Sequence, residues 1–234
     1  MLAIYKKEMR TYFTTPLGYV FLGVFLSVSG FVFAMSTYYS QTSDVSGYFQ
    51  TMILGYVVIV PILTMRGFAE ERRARTEQLL LTAPISITGM VFAKFLAAFT
   101  MFGGSVLVSC LYYLPLFNYG TPNVGKAVGC LIAMLLIGMC FIAVGMFIST
   151  LTESTVTACI GTMGTLLVLS ATSIFNNIID SYFIRKVLSW VSIYSRFDNF
   201  VYGEFDIAAT VYYISITAIF LFLSVRVYEG RRYA

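Results

Sequence analysis

The chain has 234 residues, 59% of them hydrophobic and only 11% charged, with a mean hydropathy of +0.83 and a formal net charge of +4. Soluble domains carry roughly 45–50% apolar and about 25% charged residues, and one core cannot hide this much apolar surface from water. A water-soluble fold is therefore excluded, and the absence of histidine removes the commonest metal ligand and general base, and with them zinc-protease and Ser-His-Asp chemistry.

The first element in chain order is amphipathic. Helical spacing sets Leu2, Ile4, Tyr5, Met9, Tyr12 and Phe13 on one half of the wheel and Lys6, Lys7 and Arg10 on the other, with Glu8 a misfit. Pro16 ends the pattern. This predicts an interfacial elbow helix whose basic residues face anionic headgroups. A membrane-spanning helix needs about 20 mostly apolar residues. Six segments qualify, at residues 17–39, 48–65, 90–114, 126–150, 155–179 and 207–228. An even number of crossings puts both termini on one side. If that side is the cytoplasm, eleven cations lie inside: Lys6, Lys7, Arg10, Arg66, Arg72, Arg73, Arg75, Lys94, Arg226, Arg231 and Arg232. Four lie outside: Lys126, Arg185, Lys186 and Arg196. The positive-inside rule thus predicts cytoplasmic ends, and the modest net charge gives no reason to invoke nucleic acid.

The spans carry small residues, among them the Gly125/Gly129 GxxxG pair, Gly138, Gly145, Gly161 and Gly164. Close helix packing accounts for such residues. The four cysteines lie in apolar runs without a CxxC, which suits small core residues better than a disulfide framework. Spans four and five are joined by residues 151–154 alone, so they form a tight hairpin. The long outer loop, 180–206, holds a second amphipathic stretch. Phe183, Val187 and Trp190 share its apolar arc, while Arg185 and Lys186 lie opposite. It predicts a helix at, or dipping into, the outer face. No internal repeat or linker divides the chain, so residues 1–234 are expected to be one domain.

The inner loop between spans two and three concentrates charge. Residues 66–77 hold seven of the 26 charged side chains. Sidedness alone explains Arg72, Arg73 and Arg75. It does not explain Leu79, Leu80 and Leu81, which need a cover. A leucine triplet beside Glu77 is what a docking helix offers a partner's cleft. Pro84 ends that helix, and Ser86 or Thr88 can cap the next.

Other chemistries fit poorly. "EERRAR", residues 70–75, matches the EExxxR pattern of membrane proteases that resemble CAAX-processing enzymes, but those also need histidines. Lys94, Lys126 and Glu153 sit near predicted helix ends, where snorkelling is cheap, so no intramembrane ion pathway is evident. There is no GxxxxGK[ST] phosphate loop. Work done by this chain must come from another subunit.

The loop resembles that of the permease subunits of type-2 ABC exporters, the ABC-2 permeases. The family pattern is a phenylalanine, paired acids, basic residues, then Gly/Ser-Thr-x-Glu-x-Leu-Leu-x-Thr-x-Pro. Here it reads Phe68, Glu70, Glu71, Arg72, Arg73, Thr76, Glu77, Leu79, Leu80, Leu81, Thr82 and Pro84, with Arg75 where the family often has glycine. The resemblance extends to the elbow (Tyr5, Lys6, Lys7, Arg10), the six spans and the outer helices before the last span. Phe197, Asp198, Phe200, Gly203 and Asp206 resemble the gliding-motility-associated branch. The resemblance implies an all-α integral membrane fold in a bacterial cell membrane, with no catalytic or cofactor site of its own. It implies that ATP and magnesium are bound by a dimeric cytoplasmic ATPase, which contacts Glu70, Glu71, Arg72, Thr76, Glu77, Leu79, Leu80, Thr82 and Pro84. It further implies a second permease subunit, identical or homologous, contact with membrane lipid, and room for an extracytoplasmic auxiliary protein. Lipid, peptide, glycan and ion cargo all fit. A scaffold or mechanotransmitting subunit that transports nothing and a secondary transporter are the alternatives, and a stand-alone transporter or a membrane scaffold should purify without an ATPase.

Overall fold

Pro16 fixes the first joint of the chain. Its ring suits the opening turn of a helix, where the missing N–H costs nothing, and it drives the preceding residue to extended backbone. Helix α1 (Leu2–Thr14) accordingly stops at Thr15 (φ −95°, ψ 151°), and α2 (Pro16–Phe33) starts at once in a new direction. The bend is so tight that a Cβ on Gly18 would run into the backbone carbonyl of Tyr12. The structure, a computed structural model, describes residues 1–40, 44–76, 86–116, 123–178, 192–194, 196–201 and 206–233. A π-helical turn, Ala34–Tyr38, extends α2. Then follow α3 (Ser46–Thr64), the short α4 (Ala69–Arg73), and α5 (Ile87–Ser109) with a 3-10 turn at Cys110–Tyr113. The chain continues with α6 (Val124–Leu151), α7 (Thr155–Ile178), α8 (Asp198–Val201) and α9 (Ile207–Tyr233).

Among the described residues there is no strand, and six helices are long and apolar enough to cross a membrane: α2, α3, α5, α6, α7 and α9. Each expected span falls on one of them. The fold is an all-α membrane bundle. Helix α6 is its axis and touches α3, α5, α7 and α9, while α2 lies against α3 and α5. Burial follows this order. The most apolar windows of α3, α5 and α6 are 61%, 56% and 61% buried, those of α2, α7 and α9 only 22%. The outward faces of those three helices carry Phe31, Val156, Val168, Ile219 and Phe222, a surface whose solvent is lipid.

Packing inside the bundle is set by rings and by the glycines that admit them. Phe25, Tyr56 and Phe102 join α2, α3 and α5, with centroids 5.0–6.1 Å apart. Gly138 of α6 leaves room for the Phe102 ring, Gly145 for Thr64 and Thr162, and Gly161 for Ile148. Among the described residues, no helix packs on the Gly125/Gly129 pair. A Cβ on Gly129 would meet open space, and one on Gly125 only the cap residue Asn123.

The two ends of the bundle are tied differently. On the face opposite α1, Lys126 at the start of α6 holds Asp44 at 3.1 Å. Asp44 also accepts from the Ser46 backbone (3.1 Å) and hydroxyl (2.6 Å). The Ser46 hydroxyl bond, reinforced by Lys126, holds the Asp44 carboxyl below its usual range. The α1 face carries the ionic cluster described next.

Candidate functional site

The inner loop is built onto the last turn of α6. Ser149, fully buried, accepts the N–H groups of Phe68 and Ala69, each at 3.1 Å, and donates to the Met65 carbonyl at 3.4 Å. These N–H groups open α4 and would otherwise have no intrahelical partner. Phe68 is buried against Tyr228 of α9, ring to ring at 5.0 Å. Glu70 and Glu71 then occupy the first turn of α4, and Arg72 and Arg73 the last, the order that complements the helix dipole.

Helix α4 ends in a tight turn. Arg75 has φ 56°, the only positive φ among the described non-glycine residues. Its N–H reaches the Arg72 carbonyl, and the Thr76 N–H reaches Glu71, both at 3.0 Å. This pair of bonds is the Schellman closure, which usually places glycine where Arg75 stands. The residue that departs from the family pattern thus still makes the turn, at the left-handed cost of a side chain. Replacing Arg75 with Gly is expected to stabilise the full chain by up to about 1 kcal/mol, because only the Cβ penalty is relieved. Thermal unfolding in detergent checks this, and a lower melting point would mean that the Arg75 side chain supports the loop.

Lys94 is the centre of the site. It stands about two turns into α5 and is 4% exposed. Its ammonium donates to Glu8 Oε1 at 3.1 Å, Glu71 Oε1 at 2.8 Å and the Gly67 carbonyl at 2.8 Å. Three donors meet three acceptors, and the Phe68 ring lies 5.1 Å from the charge. Lys7 closes the cluster from outside, 3.2 Å from Glu71 and 3.7 Å from Glu8. Burial works against the charge on Lys7, but Glu71 and then Glu8 outweigh it and raise its pKa above the usual lysine value. A raised lysine pKa gives stability that is full below the ordinary value and is lost only as pH rises through the raised one. Lys7 therefore keeps its charge through the neutral range. Three elements meet at one nitrogen: α1, the α3–α4 loop with α4, and α5.

Lys94 therefore does not snorkel to water as its position near a span end suggests. It is capped where it lies. The misfit Glu8 is its partner. Tyr5 also leaves the interface: its hydroxyl reaches Thr100 of α5 at 3.2 Å. Lys6 and Arg10 stay exposed. Of the residues predicted for ATPase contact, Glu71 turns inward, with a side chain only 13% exposed. Arg72 bonds Glu153 at 2.7 Å and the Leu151 carbonyl at 3.4 Å, which ties α4 to the α6–α7 link. Sidedness alone is thus an incomplete account of Arg72. Glu70, paired with Arg66 at 3.7 Å, and Thr76 face outward. Glu77, Leu79, Leu80, Leu81, Thr82 and Pro84 lie outside the described residues. Glu8, Lys94 and Ser149 are the residues that sequence reasoning missed. A lone acid on an apolar face and a lone lysine inside a span were the available signals.

Of the residues predicted for the outer helices, Phe183, Val187, Trp190 and Gly203 also lie outside the described residues. Asp198 begins α8, and Phe197 and Phe200 are fully buried. The Phe200 carbonyl takes the Cys130 thiol at 3.4 Å, so α8 is pinned on α6. Asp206 caps α9 through the N–H groups of Ala208 (2.8 Å) and Ala209 (3.3 Å), and accepts from Asn199 at 2.8 Å. Its part in this stretch is to start the last span. Arg196 lies over Tyr212, 4.1 Å from the ring centroid.

Among the described residues no cluster of histidine, cysteine or carboxylates could hold a metal ion. Residues 31–226 match a family model described as "ABC-2 family transporter protein". Comparison with curated proteins gives no match.

Proposed function

The chain belongs to the ABC-2 family of transporter proteins, and we propose that it is an exporter permease driven by a separate cytoplasmic ATPase. As a family member it is the membrane component of an ABC transporter, without an ATPase domain of its own, and partners an ABC ATPase and often a second permease. The finer reading concerns how the work enters. ATP and magnesium are bound by the ATPase, whose closure pushes on the loop that runs from α4 to Pro84. The exposed Glu70 and Thr76, with Glu77, Leu79, Leu80 and Thr82 beyond them, form the contact. Glu71 and Arg72 act behind it, passing the push to the elbow and to the α6–α7 hairpin.

One observation carries this reading. Lys94 joins the elbow, the loop and α5 in a single buried ionic cluster, so a force on α4 reaches a spanning helix without a flexible intermediary. Sidedness of the lysines and arginines supports cytoplasmic termini, and the family resemblance supports a bacterial cell membrane. Kinship with the gliding-motility-associated branch rests on Phe197, Asp198, Phe200, Gly203 and Asp206 alone.

The test is a double variant, Glu77→Lys with Leu80→Asp. It reverses one charge and places another on the apolar edge. The ATPase, identified as a soluble Walker-A protein that co-purifies with the wild-type permease, is expected to fall away by at least tenfold, roughly 1.4 kcal/mol of lost contact. The permease itself is expected to keep its melting point. A stable, fully active complex from this variant rules the contact out.

A further inference from the structure

We propose that the groove between the first turns of α5 and the last turns of α9 is a binding site for an anionic phospholipid of the leaflet on the α1 face. The inference does not rest on how ATP is coupled. It rests on a cavity of about 670 Å³ and on the two ends of that cavity. Its wall is apolar, made by Val91 and Phe92 of α5 and by Leu221, Phe222 and Val225 of α9. Phe92 and Phe222 are 43% and 56% exposed on the outside of the bundle. The wall is therefore continuous with the surface that lipid covers, and an acyl chain can lie in it without crossing water.

The other end is polar, with Arg226 and its partner Glu229 both on the lining. Ser86 is the N-cap of α5 by backbone, its carbonyl taking the Met90 N–H at 3.0 Å, but its hydroxyl caps nothing. Among the described residues, the first N–H groups of this helix of 23 residues have no side-chain cap, at the positive end of its dipole. Ser86, Thr88 and Gly89 line the cavity there. Across from them stands Arg226. Its guanidinium lies over Phe222, 5.1 Å from the ring centroid, and Nη1 holds Glu229 at 3.0 Å. One guanidinium nitrogen engaged by Glu229 leaves a second edge of the fork for a phosphate.

The depth is right for a headgroup. Arg226 is nineteen residues along from Ile207, about 28 Å at 1.5 Å per residue, close to the thickness of the hydrocarbon layer. The cation is thus at the boundary where phosphates lie. Apolar tail, arginine and helix start in sequence from the membrane interior outward match the order of groups in a phospholipid. A free phosphate would use only one end of the site.

The test uses the full-length protein in nanodiscs of equal amounts of phosphatidylglycerol and phosphatidylcholine, read by native mass spectrometry of the released protein with its retained lipid. The wild-type chain is expected to retain one phosphatidylglycerol in preference to phosphatidylcholine. Arg226→Gln is expected to reduce that retention roughly tenfold, the worth of one charge-assisted contact. Arg226→Lys keeps most of it. Leu221→Trp, at a partly buried wall position, fills the groove and removes the lipid while the melting point holds, and Arg73→Gln, an exposed cation on the same face but outside the groove, changes nothing. Equal retention of the two lipids, or an Arg226→Gln variant that retains phosphatidylglycerol as well as the wild type, overturns the proposal. So does a Leu221→Trp variant whose change is in oligomeric mass, because the groove is then covered by a second copy.

Discussion

Lys94→Met is expected to destabilise the chain by about 3–5 kcal/mol and to separate ATP hydrolysis from transport in the assembled complex. The stability loss follows from what stays behind. Glu8 and Glu71, with side chains 16% and 13% exposed, would face each other with only the half-exposed Lys7 between them, and breaking a buried ion pair from one side costs that much. Lost stability alone does not establish a coupling role, so a second variant divides the two. The triple change Lys94→Met, Glu8→Gln and Glu71→Gln removes the charges together, and replacing a whole buried ionic group by neutral residues is often harmless to stability. It is expected to recover most of the melting point yet leave ATP turnover without transport, measured in vesicles containing the complex. Recovery of both would reduce the cluster to a structural brace.

The second large effect is expected at the elbow. Gly18→Ala places a methyl group into the Tyr12 carbonyl, and neither side of that clash is a flexible side-chain end. The last turn of α1 must shift, at a cost of about 1–3 kcal/mol by analogy with overpacked cores. That shift pulls on Glu8, one turn earlier, and so on Lys94. Amide exchange over residues 2–14 is expected to quicken, while exchange over the middle of α6 holds. Gly23→Ala is the control: a Cβ there meets nothing within 4 Å, and exchange is expected to be unaltered or slower. Unchanged exchange over residues 2–14 in Gly18→Ala would show that the bend has slack.

The spans were legible in the sequence because crossing a membrane imposes a length and a composition, and both are read by counting. The elbow was legible for a similar reason: Pro16 and the placement of Lys6, Lys7 and Arg10 mark a helix with one wet side. The joint was not. Glu8 looked like noise on an apolar face and Lys94 like a charge escaping to the interface, since each is costly alone. Only the fold brings residues 86 positions apart to 3.1 Å, where the two costs cancel. Ser149 was hidden for a different reason. A serine near a helix end has many uses, and nothing local says that it will hold two N–H groups from a loop 80 residues away. The glycines misled in the other direction. Gly125 and Gly129 have the spacing of a packing face, but the residues that admit neighbours are Gly138 and Gly145, and their need is set by Phe102 and Thr64 on other helices.

The three-acceptor seat of Lys94 has a kinematic consequence. A body held at one point can pivot, and one held at two can swing about the line between them. The Lys94 nitrogen is one point of hold on the Gly67–Arg72 segment, through the Gly67 carbonyl and Glu71, and Ser149 at Phe68 and Ala69 and Glu153 at Arg72 are two more, apart from it. Such a mount has no free rotation to absorb a displacement. A twist applied at α4 therefore arrives at α5 as a twist, and a thrust as a thrust. Under the proposed coupling, the direction of a stroke is preserved as well as its size.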